Sequence, residues 1–319
     1  MGIERSTEEM YKAFDSYGAQ YPEQIPTGIL IENLTVTNQS VKISGYLWQK
    51  YPIGFPEENI KFPQFTDQIS FLANEEVYRY TRDGQRVVGW FFSTEVQQRF
   101  DYRLYPLDQA IIKIQIEPSI MSSQYVLTPA VLDYDYMSPA FRPGLAGNLK
   151  VRGWVINNSF FTYDDSVYGT NFGLFRQIQK DKIPNLVFNV RMTRDILSPI
   201  IAYCIVIYIV VMQIYGVSIL KIENPYQVLS IAAALFLVVA ITHNGMRDSL
   251  AITGVVYLEY YFILLYLTIL ATSINAIMWA AKIQLPILTY RDNLAIKVLF
   301  WPAFLGIGLI FTLISFYPF

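Results

Sequence analysis

The sequence holds one cysteine, Cys204, and one histidine, His243. A lone cysteine cannot close an intrachain disulfide or build a cysteine-based zinc site. A lone histidine excludes a two-histidine metal centre. It also leaves the first 194 residues with none, so no Ser-His-Asp set can form there. No dinucleotide, P-loop, HExxH or GxSxG pattern occurs. Charge is scarce too: charged residues make up 16% of the chain, against about 25% in soluble domains. Net charge is −2, so no basic surplus exists for a nucleic-acid partner. These absences argue against an enzyme and against a resident cofactor or metal.

The scarcity of charge is not uniform. Only ten charged residues lie in 195–319: Asp195, Lys221, Glu223, Arg247, Asp248, Glu259, Lys282, Arg291, Asp292 and Lys297. Between them run four uncharged stretches, Ile196–Leu220, Asn224–Met246, Tyr260–Ala281 and Val298–Phe319. Each matches the roughly 20 apolar residues a spanning helix needs. The sequence predicts a four-helix transmembrane bundle over 195–319, with helices near 196–220, 225–246, 253–281 and 294–317. Four spans put both ends of this half on one side. The loops after helices one and three carry Lys221, Lys282, Arg291 and Lys297; the loop after helix two carries Arg247. The positive-inside rule then places residues 1–194 outside the cytoplasm, although Arg191 and Arg194 pull the other way. A multi-pass protein of the cell (inner) membrane is expected, with an extracellular or periplasmic N-terminal domain. Met1-Gly-Ile-Glu-Arg lacks the apolar run of a secretory signal. Export of the outer domain therefore predicts a leader or further domain upstream of this sequence.

Helix two differs from its neighbours. Stepping three or four residues, one face holds Glu223, Gln227, Ser230 or Ile231, Ala234, Val238 and Ile241. It begins charged, turns polar and ends small or branched. A pore lining with a polar inner mouth and a hydrophobic gate would look like this. So would a central helix of a monomeric bundle with Glu223 among lipid headgroups. The aromatic groups Tyr257-Leu-Glu-Tyr-Tyr and Phe316-Tyr-Pro-Phe fit membrane-interface belts.

Residues 1–194 read as β-rich. Strand-like runs occur at Gly28–Thr37, Ser40–Gln49, Glu76–Thr81, Gln85–Phe92, Asp108–Ile116, Tyr125–Asp133, Gly153–Tyr163 and Asn185–Met192. Tyr, Phe, Val and Ile fill them, and turn residues such as Asp83-Gly-Gln separate them. A sandwich is expected, preceded by one helix at Thr7–Tyr17. Acid pairs such as Asp164-Asp165 and Glu75-Glu76 read as solvated loop charge, with a calcium site or a glycosidase pair as the alternatives.

Two segments carry a family resemblance: Arg82-Asp-Gly-Gln-Arg-Val-Val, and Arg99-Phe-Asp-Tyr-Arg-Leu-Tyr-Pro-Leu-Asp-Gln-Ala-Ile-Ile-Lys-Ile-Gln-Ile-Glu-Pro. They resemble the DG-x-V turn and the FD-x-R-x-[FY]-P-[FL]-D-x-Q loop of pentameric ligand-gated ion channels, the Cys-loop receptor superfamily. Bacterial members lack the flanking cysteines, as this chain does. The order of an early helix, about ten strands of an immunoglobulin-like sandwich, a basic residue (Arg194) and four spans is similar too. The chain departs from the family in having Pro199 near the start of helix one rather than a proline midway. It also has Trp48-Gln-Lys-Tyr-Pro-Ile in place of Trp-x-Asp-x-Arg.

The resemblance implies a homopentamer in the lipid bilayer, with helix two around a five-fold pore for permeating ions. Glu223 would ring the cytoplasmic mouth and favour cations. Gln227, Ser230 and Ile231 would form the narrow part, and Ala234, Val238 and Ile241 the apolar gate. Leu104, Tyr105, Pro106, Asp108, Arg194, Arg247 and Asp248 would couple outer domain to helices. An unknown extracellular ligand would bind among Phe71, Met121, Tyr163, Tyr168, Phe172 and Phe175, where aromatic faces suit a cation. Protons or a divalent cation such as calcium are the alternative stimuli. A membrane sensor without a conducting pore is the competing reading. The 16 residues Lys282–Lys297 leave little room for a cytoplasmic signalling domain.

Overall fold

The computed structural model describes residues 23–37, 39–118, 125–166, 183–219, 224–250, 254–283 and 294–317. The expected helix at Thr7–Tyr17 lies outside the described residues. Contacts divide the chain into two units. One holds the residues up to Phe100 together with Gln109–Thr193. The other holds Asp101–Asp108 together with the chain from Arg194 on.

The first unit is sheet-rich, with nine strands among the described residues. They are β1 (Glu23–Val36), β2 (Ser40–Pro52), β3 (Gln64–Phe65), β4 (Gln68–Arg82), β5 (Gln85–Gln97), β6 (Gln109–Glu117), β7 (Tyr125–Pro129), β8 (Trp154–Ser166) and β9 (Ile183–Arg194). One sheet runs β4-β5-β2-β1-β7 and the other β3-β6-β9-β8. Period-two patterning builds the core. In β6, Ala110, Ile112, Ile114 and Ile116 are buried while Gln109, Ile111 and Lys113 face out. Strand β2 alternates likewise, burying Val41, Ile43, Leu47 and Tyr51. These side chains join Phe92, Phe161 and Phe188 in one apolar core drawn from both sheets.

The β4–β5 hairpin turns at Asp83 and Gly84, with φ of 49° and 75°. Such positive φ values suit a two-residue hairpin turn and explain the Asp-Gly pair. Strand β4 is longer than the Glu76–Thr81 run expected. It is an edge strand exposed along most of its length, so burial imposes no alternation on its sequence. Strand β7 is shorter than expected. It ends at Pro129, which has no N–H to donate, and Val131–Asp133 forms a turn of 3-10 helix.

The second unit has four helices long and apolar enough to cross a membrane. They are α1 (Leu197–Ile219), α2 (Pro225–Leu250), α3 (Tyr257–Ala280) and α4 (Leu294–Phe316). Helix α1 includes a π-helical turn at Ile200–Cys204, just after Pro199. Helices α1, α2 and α3 share a core that includes Ile207, Val211, Ala232, Leu235, Val239, Phe262 and Leu265. Aromatic contacts add α4: Tyr215 lies 5.3 Å from Phe300, and Tyr260 stacks on Phe311 at 5.1 Å. At most 28% of any spanning window is buried within the chain. The remaining apolar surface suits lipid or further subunits, so the chain is a multi-pass membrane protein.

Candidate functional site: the uncovered face of α2 and loop 101–108

Helix α2 has two unlike faces. Val228, Ala232, Leu235, Val239, Met246 and Leu250 recur at steps of three, four or seven residues and are buried against neighbouring helices. Gln227, Ser230, Ile231, Ala234, Val238 and Ile241 lie on the other side, and all six are exposed. Ser230 donates its hydroxyl to the Tyr226 carbonyl at 3.0 Å, so its oxygen remains available outward. The stripe thus passes from amide and hydroxyl to unbroken hydrocarbon. Glu223, expected to begin it, lies outside the described residues.

Helix α2 continues to Leu250, four residues past the expected end at Met246. Arg247 and Asp248 therefore sit on its last turns and not in a loop. The helix survives these charges because Arg247 finds a buried partner: its Nη1 pairs with Glu259 Oε1. It also reaches the Gly254 carbonyl at 3.5 Å. Asp248 is exposed.

Loop 101–108 packs within the helical unit. Tyr105 is buried in the helical core, 6.4 Å from the ring of Tyr203 on α1. Pro106 follows through a cis peptide and is buried as well. Leu104 is half-buried, and Leu107 is exposed. Burial pushes the Tyr105 and Tyr102 phenols up. The Arg103 guanidinium holds the Asp101 carboxyl below the usual range through hydrogen bonds of 2.6–3.0 Å.

Arg194, the last residue of β9 and three residues before α1, holds this loop. Its Nε and Nη2 donate to Asp108 Oδ1 and Oδ2 at 2.6 and 2.8 Å. Its backbone N–H donates to the Asp108 carbonyl at 3.2 Å. Its guanidinium also lies 4.8 Å from the Tyr105 ring centre and 5.6 Å from that of Tyr102. Side-chain exposure is 12% for Arg194 and 2% for Asp108. A fork-to-fork pair between aromatic faces is among the strongest side-chain arrangements available to a chain. Asp108 takes Arg194 as its partner, while Arg103 pairs with Asp101. The Arg103 carbonyl accepts from Tyr257 N–H at 2.8 Å, tying the same loop to the start of α3.

A cluster where the C-terminal end of α2 meets the start of α3 was not legible as a site in the sequence. Glu259 is 1% exposed. Its Oε2 accepts from the Val256 N–H at 2.9 Å and caps α3. Its Oε1 receives Arg247 and lies 3.2 Å from His243 Nε2. The sequence signal was an acid in the first turn of a helix, hidden within an aromatic run.

The aromatic ligand set is only partly described. Met121, Tyr168, Phe172 and Phe175 lie outside the described residues. Phe71 is on β4, 45% exposed, edge-on to Phe62 at 5.7 Å. Tyr163 is on β8 and half-buried, and its hydroxyl donates to the Leu127 carbonyl at 2.8 Å. Phe71 is on β4 at one edge of its sheet, whereas Tyr163 bonds to β7 at the opposite edge of that sheet.

No protein-family model matches the chain, and no curated protein matches its sequence.

Proposed function

We propose that the chain is one subunit of a pentameric ligand-gated ion channel of the Cys-loop receptor type. Five copies of α2 line a cation-permeable pore, and the sheet-rich domain lies on the extracellular or periplasmic side. The observation that carries the reading is the two-faced α2. The predicted pore stripe, from Gln227 to Ile241, lies within the surface of α2 that the chain's own helices leave uncovered. Its branched and small hydrocarbon at Ala234, Val238 and Ile241 suits a constriction that dewets when closed. Loop 101–108 supports the reading as well. It is continuous with β5 and β6 of the outer domain, yet it is anchored to Arg194, three residues before α1, and to the start of α3. A ligand that favours one arrangement of the outer domain would thereby bias the helices.

Glu223, two residues before Pro225 in the sequence, supplies the ring of five carboxylates that selects cations in this reading. The agonist sits at an interface between outer domains, with Phe71 and Tyr163 drawn from neighbouring copies. Protons or a divalent cation such as calcium act as alternative stimuli, and there is no resident cofactor and no catalytic residue. Planar-bilayer recording of the purified chain tests the proposal. Wild type should pass cations, and Glu223→Gln should move the reversal potential toward non-selectivity. Absence of current, from protein whose mass in detergent is that of a single chain, would remove the pore.

A further inference from the structure

The one histidine of the chain stands in an unusual place. His243 on α2 is stacked on the Phe262 ring of α3 at 5.0 Å and 9°. Its Nε2 is 3.2 Å from Glu259 Oε1, and its Nδ1 is 3.3 Å from the Tyr266 hydroxyl. The carboxylate can only accept, so Nε2 carries the hydrogen in the neutral ring. Nδ1 then accepts from Tyr266. On the same carboxylate oxygen falls the second donor, Arg247 Nη1. One buried oxygen therefore serves two donors from α2, one fixed in charge and one titratable.

We propose that His243, Glu259 and Arg247 form a proton-operated latch between the C-terminal end of α2 and the start of α3. With His243 neutral, Arg247 neutralises Glu259 and holds the Gly254 carbonyl, fixing the entry to α3. A proton taken from solvent adds to Nδ1. The Tyr266 hydroxyl must then reverse from donor to acceptor, and the Nε2–H bond to Glu259 becomes one between opposite charges. Two cations now compete for a single oxygen. Arg247 is the partner that yields, because its side chain is 39% exposed and can be rehydrated, whereas that of His243 is 16% exposed. Its departure also frees the Gly254 carbonyl.

The groups facing His243 are Glu259 and Tyr266 from α3 and Arg247 from its own helix. Helix α1 brings no charged residue; its ionisable groups are Tyr203, Cys204, Tyr208 and Tyr215. Helix α4 has Lys297 in its first turn and no other charge. Histidine changes charge between pH 5 and 8, where carboxylates and guanidinium groups do not. The latch requires no conduction, so it stands or falls separately from the pore.

Hydrogen exchange of the full chain in detergent or nanodiscs tests it, read at the Val256–Glu259 amides and corrected for the intrinsic pH dependence. In wild type, lowering pH from 8 to 5 should speed exchange about tenfold or more, the effect of losing one charge-assisted hydrogen bond. His243→Gln should make the corrected rate flat with pH, and His243→Phe, which keeps the stacking on Phe262, should do the same. Nitrogen-15 spectra of the single imidazole report its protonation without ambiguity. The latch is overturned if the imidazole stays neutral to pH 5. It is equally overturned if the imidazole titrates while exchange at 256–259 does not change, or if both variants keep the wild-type pH response.

Discussion

Replacing Asp108 with alanine isolates the anchor of the loop. The perturbation removes two hydrogen bonds, of 2.6 and 2.8 Å, from a guanidinium whose side chain is 12% exposed. Breaking such a pair from one side costs about 3–5 kcal/mol, because the surviving charge is left without its partner. The two tyrosine faces offset part of this loss, about 0.5–2 kcal/mol of attraction to Arg194 that persists in the variant. We therefore expect Asp108→Ala to destabilise the protein by about 2–4 kcal/mol. Arg194→Ala removes the ring contacts too but leaves a buried carboxylate, and should cost at least as much. The double variant should be milder than the two losses added, with a coupling of about 2–3 kcal/mol. Chemical unfolding of all four proteins in the same micelle closes the cycle. Additive losses, or Asp108→Ala within about 0.5 kcal/mol of wild type, would refute the reasoning that this pair anchors the loop.

Other positions give simpler expectations. Gly45→Ala would place its Cβ 1.9 Å from the Leu30 carbonyl oxygen, on the adjacent strand of the same sheet. That is backbone against backbone, so we expect a loss at or above about 1–3 kcal/mol and a lower melting temperature by circular dichroism. Arg79 bridges Glu57 and Glu76 on the surface at 2.7 and 2.8 Å. Its hydrogen bonds hold the Glu76 carboxyl below the usual range. A depressed carboxyl contributes above its unfolded pKa of about 4.3 and loses that contribution as pH falls through the folded value. Arg79→Ala should thus cost under about 1 kcal/mol at pH 7, discounted for exposure. The difference from wild type should shrink as pH falls and the carboxyl takes up its proton in a stability–pH series.

Much of the fold was legible because burial writes periods into sequence. The alternation in β2 and β6 and the four uncharged runs each follow from one buried face or one apolar solvent. Where burial is absent the sequence says less: of exposed β4 only Glu76–Thr81 reads as a strand. The end of α2 was misplaced because charge was taken as the limit of the helix. Arg247 stays helical by pairing with a residue on another helix, and no local pattern reports that. Glu259 was hidden for the same reason, since its donors His243 and Arg247 come from α2. The Asp108–Arg194 pair spans 86 positions. No local pattern links the two residues, and packing alone brings them together. The α2 stripe is a set of positions that three- and four-residue steps place on one face; its residues are exposed on the single chain, as are Tyr226, Phe236 and Leu237 outside it.

Cysteine accessibility along α2 puts the pore most directly at risk. In a Cys204→Ser background, single cysteines at Val238, Ile241 and Val239 would be treated with a charged, water-soluble thiosulfonate during bilayer recording. Val238 and Ile241 are exposed, whereas Val239 is 0% exposed against the neighbouring helices. A pore lined by this face requires rapid change of current at 238 and 241 and none at 239. Modification that alters current at 239 alone, or at none of the three while the channel conducts, would contradict it.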